Sequence, residues 1–332
     1  METTLEVHEP SQVAEVRRLV ADAGARSGFG APDLGRAALV ATEVATNLVK
    51  YGKHGTVTVS TFVEGATAGV ELVAADRGPG FADFQASARD GHSTGGSLGI
   101  GLGAILRASD AFDVYSLEGQ GSAFFSRIAR GGALAPADGL VVAGRSMPKR
   151  GQVECGDGWA FARAGRWQRL CVVDGLGHGP LAASASKQAI EIFCAAGERD
   201  SPADIIRLAH QKLKYTRGVV MGVIAIDAKE HKACFSGVGN IAGILHAGGQ
   251  VHHLLSIDGV VGYNMRAARD QALPWAADGA VIMASDGLST RWNLARYPGL
   301  LARHPALVAA VLYRDFARDN DDATIAVAME RR

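Results

Sequence analysis

Aspartates follow apolar, strand-like segments at several places in the second half of the sequence. Asp174 ends the run "LCVVDG" and opens "DGLGHG", in which three of the next five residues are glycine. A tight turn alone would explain one such pair. A carboxylate beside glycine backbone also suits a hard cation, because Mg²⁺ and Mn²⁺ take oxygen ligands.

Three further acidic positions favour the metal interpretation. Asp157 precedes an apolar run, Asp286 lies in "ASDG", and Asp321 lies in "RDNDDATIAVA". Taken singly, each is more often only a turn, but four in succession at strand ends are harder to explain in that way. Two metal ions bridged by such carboxylates would lower the pKa of a bound water and clamp phosphoryl oxygens during in-line attack. The pattern therefore indicates metal-assisted phosphate hydrolysis.

A different pair of residues carries chemistry in the first half. In "ATEVATNLVKYG", Glu43 and Asn47 are four residues apart and share one face of a helix. A carboxylate can deprotonate an attacking hydroxyl, and an amide oxygen can bind Mg²⁺. Alone, such a pair is usually solvated surface.

Glycine-rich segments follow this helix. "AADRGPGF" places Asp76 at a strand end, where its carboxylate can accept a hydrogen bond from the exocyclic amine of adenine. "STGGSLGIGLG" then leads into a helix, and backbone N–H groups at such a terminus bind phosphates. It is neither a Walker A loop nor a Rossmann loop, since no Gly-Lys-Ser/Thr closes it and no strand precedes it. The glycines that would line a nucleotide are Gly78, Gly80, Gly99, Gly101 and Gly103.

The elements that must position these residues differ between the two halves. Apolar spacing predicts helices over residues 11–27 and about 32–50, then strands in a mainly antiparallel sheet. The second half predicts seven strands with helices near 180–196 and 202–214, which suggests two packed sheets flanked by helices. A Gly/Ala/Pro stretch separates them. We predict domains at 1–132 and 143–332, joined by a linker at 133–142.

Composition restricts the class of protein. The 34 basic and 34 acidic residues cancel, so no basic field favours nucleic acid. The acidic, polar N-terminus does not read as a secretory signal, and no apolar run approaches the ~20 residues of a membrane span. The four cysteines show no CxxC spacing. We expect a cytoplasmic protein without membrane or nucleic-acid partners.

The first half resembles the GHKL (Bergerat-fold) ATP-binding family of histidine kinases and anti-sigma serine kinases, closest to the RsbT-type switch kinases. "GFGAPDLGRAALVATEVATNLVKYG", "DRGPGF" and "GHSTGGSLGIGLG" carry the resemblance, which spans about Leu5 to Ile128. It implies that Glu43 is the catalytic base, Asn47 binds Mg²⁺, Asp76 reads adenine and the glycines form the walls and lid of an ATP site. The implied fold is an α/β sandwich, with helices on one face of a mixed sheet.

The second half resembles the PPM-type metal-dependent serine/threonine phosphatases of the SpoIIE/RsbX branch, from about Gly144 to Met329. "CGDGWAFARAGRWQRLCVVDGLGHGPLA", "FSGVGNIAGIL", "ASDGLST" and "DDATIAV" carry this resemblance. It implies an α-β-β-α sandwich, and hence an α+β chain overall. Two Mn²⁺ or Mg²⁺ ions would be held there. The implied ligands are Asp157, Asp174, the carbonyl of Gly175, Asp286 and Asp321.

Together the resemblances imply a fusion of opposed activities acting on STAS-domain regulators in a bacterial partner-switching or stressosome pathway, controlling a sigma factor or similar output. An alternative keeps the phosphatase and makes the first half a non-catalytic ATP-sensing or anti-sigma-type module. In a third, the phosphatase half is a scaffold without turnover. A homo-oligomer is possible, and the sequence does not distinguish Mn²⁺ from Mg²⁺.

Overall fold

The computed structural model describes residues 2–81, 101–134 and 139–330. Two compact units are present. Unit 1 contains the described residues up to 134 together with Ala302–Arg314, and unit 2 contains residues 139–301 and the chain from Asp315 onward. The predicted division at 133–142 stays a prediction, and the segment 302–314 falls outside it. No helix in the described ranges is both long and apolar enough to cross a membrane.

Unit 1 is one sheet covered by helices. Its helices are α1 (Pro10–Arg26), α2 (Ala31–Tyr51) and α3 (Gly101–Ala108). Its strands are β1 (Glu2–Val7), β2 (Gly55–Glu64), β3 (Thr67–Ala75), β4 (Ala111–Leu117) and β5 (Gly121–Ala129). The order across the sheet is β1-β2-β3-β5-β4.

The sheet of unit 1 departs from the mixed sheet that the resemblance implied. All four pairings in the described ranges are antiparallel. The physical reason lies in the connections, because β2–β3 and β4–β5 are joined by short turns and a hairpin can only be antiparallel. The predicted helices and antiparallel strands of this half are confirmed. Val16 of α1, Val40 of α2 and Leu72 of β3 meet in its buried core.

Unit 2 has two five-stranded sheets. In the first, the order β13-β10-β9-β8-β7 is formed by β7 (Asp157–Ala164), β8 (Trp167–Gly175), β9 (Val219–Asp227), β10 (Lys232–Val238) and β13 (Gln271–Pro274). In the second, the order β12-β11-β14-β15-β6 is formed by β6 (Val141–Met147), β11 (Ala242–Ala247), β12 (Gln250–His253), β14 (Ala280–Ala284) and β15 (Ala323–Met329).

The two sheets of unit 2 pack face to face. Ile224 and Phe235 of the first sheet share a buried core with Met283 of the second. Helices α4 (Pro180–Cys194) and α5 (Pro202–Lys212) cover the outer face of the first sheet through a separate cluster that includes Phe193 and Ile206. The two packed sheets, with helices outside the first of them, confirm the expected sandwich. The strands next to the predicted aspartates belong to these two sheets.

Helix α6 (Pro305–Phe316) follows unit 2 strand β14 in sequence, yet its residues up to Arg314 group with unit 1. The ring of His304 stacks on Phe125 of β5 at a centroid distance of 3.7 Å, and its backbone N–H donates to Asp113. At the other end, Arg314 Nη1 donates to the backbone carbonyl of Asp76 at 2.7 Å. Unit 1 is therefore built from two separated stretches of the chain.

Candidate functional site

Helix α2 places Glu43 and Asn47 beside the start of α3. A Cβ built on Gly101 would lie 2.7 Å from Glu43 Oε2 and 3.8 Å from Asn47 Oδ1. Only glycine allows this backbone to come so close to the two side chains. Both side chains are half-buried. The structure thus brings a carboxylate and an amide against the first described residue of α3, and the amide oxygen could bind a Mg²⁺ ion that accompanies a nucleotide.

Asp76 lies just after β3, next to the C-terminal end of α2. Its Oδ1 accepts a hydrogen bond from Gly78 N at 2.6 Å, and a Cβ on Gly78 would clash with the carbonyl of Tyr51. Gly80 has a φ of +63°, and a Cβ there would lie 2.1 Å from the carbonyl of Leu117. Both glycines are therefore required by close backbone contacts, and they fix the loop that carries Asp76.

Asp76 is buried, and its ionisation reflects opposing effects. Burial raises the pKa of the carboxyl, whereas the N–H of Gly78, the charge of Arg314 and the backbone of Ser122 lower it. A buried carboxylate with free acceptor capacity is suited to an amine donor such as that of adenine. Of the remaining glycines, Gly103 is buried in α3, and Gly99 lies outside the described residues.

In unit 2, the β-sheet register sets two aspartates opposite each other. Asp157 opens β7 and pairs directly with Asp174 near the end of β8. Burial, followed by repulsion from Asp157 and other acidic groups, raises the pKa of Asp174 well above its ordinary value. Burial also raises the pKa of Asp157, against the lowering effect of a hydrogen bond from Ser285. A cation bound between these facing carboxylates would favour their ionised form.

Asp286 and Asp321 complete this acidic site. Burial raises the pKa of Asp286, and repulsion from Asp321 raises it further. Asp321 is exposed, and its Oδ1 accepts from Asp322 N at 3.0 Å. Both residues also contribute to the raised pKa of Asp174, so the fold brings all four predicted aspartates within electrostatic range of one another.

The aspartates do not already form a closed set of metal ligands. Over residues 2–81, 101–134 and 139–330, no three His, Cys, Asp or Glu side chains are gathered into a metal-binding cluster. The mutual pKa shifts show electrostatic proximity, which reaches further than a coordination bond. We take both observations together as an open acidic site, whose oxygen donors fit a hard cation.

Four hydrogen bonds around this site were not predicted from the sequence. Ser285 Oγ donates to Asp157 Oδ2 at 2.6 Å, and Asn240 Nδ2 donates to Asp286 Oδ2 at 2.7 Å. Asp322 accepts from Lys149 N at 2.7 Å and from Gly156 N at 2.9 Å. Ser285 adjoins Asp286 in "ASDG" and Asn240 ends "SGVGN", yet neither motif indicates its partner. These contacts orient the proposed ligands, as the groups around a metal centre commonly do.

Gly175 lies at the end of β8, directly against α4. A Cβ on Gly175 would lie 2.4 Å from the carbonyl of Ala182 and 2.8 Å from Ser186 Oγ. Ser186 Oγ in turn donates to the carbonyl of Gly156. The backbone at Gly175 is therefore fixed beside Asp174 by the start of α4.

Comparison with known proteins matches the two halves separately. Residues 7–123 match the histidine kinase-like ATPase domain, and residues 165–329 match stage II sporulation protein E (SpoIIE). The serine/threonine-protein kinase RsbT of Bacillus subtilis (strain 168) is 31% identical over 110 residues, which are 33% of this chain and 83% of that kinase. The phosphoserine phosphatase RsbX of the same strain is 27% identical over 148 residues, 43% of this chain and 72% of that phosphatase.

Solved structures agree with this assignment. One similar chain comes from a structure described as the bacterial stressosome, a modular system that has been adapted to control secondary messenger signalling. It is 27% identical to this chain, with a TM-score of 0.53. The match covers 57% of this chain and 100% of the other. RsbX in complex with magnesium shares the fold at 20% identity and a TM-score of 0.51, over 60% of this chain and 99% of RsbX. The chain belongs to the RsbT-like family of histidine kinase-like ATPase domains and joins that domain to a SpoIIE-type domain, which makes it a serine/threonine phosphatase with a kinase domain.

Proposed function

We propose that this chain is a bifunctional switch protein. With ATP, its first half phosphorylates serine or threonine of a STAS-domain regulator, and its second half hydrolyses the phosphate from a STAS-domain partner. The setting is a bacterial partner-switching or stressosome pathway that controls a sigma factor or a similar output. The observation that supports the proposal is the placement of Glu43 and Asn47 next to Gly101 in unit 1, and of Asp157, Asp174, Asp286 and Asp321 within electrostatic range of one another in unit 2. The RsbT and RsbX relatives support it.

In the kinase half, each residue has a distinct role. Glu43 accepts the proton of the attacking hydroxyl, which makes that oxygen nucleophilic toward the γ-phosphate. Asn47 supplies an amide oxygen to the Mg²⁺ that accompanies ATP. Asp76 accepts a hydrogen bond from adenine, and its loop is held by Gly78 and Gly80. Because Glu43 and Asn47 lie on one helical face, both act on the same end of the nucleotide.

In the phosphatase half, Asp157, Asp174, Asp286, Asp321 and the carbonyl of Gly175 would hold two Mn²⁺ or Mg²⁺ ions. Once bound, these ions would stabilise negative charge on the phosphoryl oxygens and acidify a water. The protein supplies the orientation of its carboxylates. The donors on Ser285 and Asn240 fix the two carboxylates they contact, and Asp322 fixes the loop before β7.

The joining of opposed activities has a physical advantage. A partner docked to one half stays at high effective concentration for the other half. Two opposed activities would also cycle ATP without net effect unless a signal favours one of them. We therefore expect nucleotide or partner binding to set the direction.

The experiment that tests the proposal uses the full chain, radiolabelled ATP and a STAS-domain partner, with and without Mn²⁺. We expect label to appear on the partner with Mg²⁺ when Asp174→Asn removes the phosphatase activity, and to be removed by the wild-type chain when Mn²⁺ is added. No label under any condition, the Asp174→Asn variant included, while wild type still removes phosphate from pre-phosphorylated partner, would overturn the kinase half and leave a nucleotide-sensing module. If the wild-type chain leaves the label on the partner with every metal ion tested, the proposed phosphatase activity is wrong.

Matched variants separate the two sites. Glu43→Gln should abolish labelling and preserve ATP binding, while Glu15→Gln, which changes a half-buried glutamate on α1, should change neither. Asp174→Asn should abolish phosphate removal, whereas Asp319→Asn, at an exposed aspartate in the loop before β15, should not. Labelling that survives in Glu43→Gln would show that the assigned base is wrong.

A further inference from the structure

An arginine lies over the turn that follows Asp174. Arg217 belongs to the loop between α5 and β9, and a Cβ built on Gly177 would lie 2.9 Å from its Nη1. Gly177 has a φ of +87°, a conformation that L side chains rarely adopt. Glycine at this position therefore both forms the turn and leaves room for the guanidinium beside the proposed metal-binding segment.

The backbone around Arg217 is held in place by hydrogen bonds. Thr216 Oγ1 donates to the carbonyl of Leu213 at 2.7 Å and accepts from Gly218 N at 3.0 Å. Leu176 N donates to the carbonyl of Gly218 at 3.1 Å, which ties the loop directly to the turn after β8. The position of Arg217 is thus fixed relative to Asp174 by main-chain contacts within unit 2.

The guanidinium of Arg217 forms no ion pair among the described residues. Arg217 is exposed, and in the described part of the chain no carboxylate pairs with it. An exposed arginine beside the turn that follows Asp174, with no carboxylate paired to it in the described ranges, retains its donors for an incoming anion. Guanidinium groups bind phosphate through two parallel hydrogen bonds.

Exposed apolar side chains, here called the rim, lie in or next to the two segments that meet at Gly177 and Arg217. Leu176 is in the turn, Leu181 follows it at the start of α4 with 61% of its surface exposed, and Tyr215 precedes Arg217 and is fully exposed. Gly218 also lies close to Tyr263, another exposed ring. A small phosphate ester would leave this apolar rim in water, whereas a protein segment would cover it.

We propose that Arg217 is a specificity-determining residue of the phosphatase half. Its guanidinium binds non-bridging oxygens of the phosphate on a phosphoserine or phosphothreonine, while Leu176 and Leu181 contact apolar side chains next to that residue. The substrate is accordingly an exposed phosphorylated segment of a protein with apolar neighbours. This inference rests on the proposed phosphatase function and adds the residue that recognises its substrate.

Steady-state hydrolysis by the Mn²⁺-loaded full chain tests the assignment. Arg217→Gln should raise KM about tenfold or more for both p-nitrophenyl phosphate and a phosphoserine peptide with apolar flanks, with kcat changed less than about threefold. Arg217→Lys should restore part of the loss, because it keeps the charge and loses the two-donor geometry. Leu181→Ser should raise KM for the peptide and leave that for p-nitrophenyl phosphate unchanged.

Arg199→Gln is the matched control, since Arg199 is exposed on the loop between α4 and α5. Unchanged KM values in Arg217→Gln would overturn the inference. So would a rise confined to the peptide, since Arg217 would then bind a peptide carboxylate and not the phosphate.

A binding measurement distinguishes failure of the inference from failure of the proposed function. Titration calorimetry with the phosphoserine peptide and Mg²⁺ needs no turnover. If the wild-type chain hydrolyses nothing, but Arg217→Gln still weakens peptide binding about tenfold, the phosphatase proposal fails and the phosphate-binding role stands. Equal binding by wild type and Arg217→Gln would overturn the role itself.

Discussion

Asp322 uses both oxygens of its carboxylate to hold the loop before β7. It is buried, and it accepts from Lys149 N and Gly156 N. In Asp322→Asn one of these oxygens becomes an NH₂ group that faces a backbone N–H, so one donor is left unsatisfied. We expect the free energy of unfolding to fall by about 1–3 kcal/mol, measured by urea denaturation.

Asp319→Asn provides the control for this prediction. Asp319 is exposed in the same loop, so its replacement should leave the unfolding midpoint within error of wild type. An Asp322→Asn variant as stable as wild type would mean that the loop is held by other contacts.

The site residues that could be predicted from the sequence are those marked by their immediate neighbours in the chain. Asp174 and Asp286 could be predicted because each is followed by glycine at the end of an apolar strand. Asn240 and Ser285 could not, because their function depends on partners 46 and 128 residues away. No local pattern encodes such a distance. Arg217 was missed for the same reason, since only the folded chain shows it against Gly177.

At the scale of elements, the proposed ATP site depends on the close approach of α3 to α2. Gly101→Ala would place a methyl group 2.7 Å from Glu43 Oε2, closer than such contacts allow, so Glu43 or the start of α3 must move. We expect ATP affinity, measured by titration calorimetry, to fall at least about tenfold, because a small displacement of a phosphate-binding terminus removes several hydrogen bonds.

A second glycine offers the matched comparison. Gly35 lies within α2, and a Cβ there would meet nothing within 4 Å. Gly35→Ala should leave ATP affinity unchanged and stabilise the fold by about 0.5–1 kcal/mol. Equal affinity in Gly101→Ala and wild type would mean that this close approach does not define the site.

Helices and strands could be predicted from the sequence where only one of their faces is buried. Helix α2 shows apolar spacing because one face packs on the sheet, and it was predicted within a residue or so at each end. Helix α6 was missed, because its residues from Pro305 to Leu312 are all buried. A helix buried on every side has no polar face, so the periodic signal disappears. Strand β6, "VVAGRSM", was also missed, since Gly144, Arg145 and Ser146 interrupt its apolar pattern.

At the scale of the whole molecule, His304 makes the stability of unit 1 depend on pH. Burial, with the charge of Arg127 nearby, lowers the pKa of His304 to about 3. In the unfolded chain a histidine has a pKa of about 6.5. Below pH 6.5 the unfolded chain therefore binds a proton that the folded chain does not, and stability falls as the pH falls toward 3.

The prediction is quantitative. Relative to His304→Phe, which keeps a ring over Phe125 and cannot titrate, the wild-type free energy of unfolding should be about 2 kcal/mol lower at pH 5 than at pH 7. Denaturant unfolding of the two proteins at both values measures the difference. His253→Phe, at an exposed histidine on β12, should behave as wild type. Parallel pH profiles for wild type and His304→Phe would contradict the burial of His304.

The path of the chain through helix α6 has a consequence for how the protein is made. Residues 302–314 leave the ribosome after nearly all of unit 2, so unit 1 cannot complete its contacts while the chain is being synthesised. A premature stop before residue 302 would remove α6 from unit 1 and β15 from unit 2 in one event. One truncation would thus take buried structure from both units, although its stop codon lies in the part of the gene that encodes unit 2.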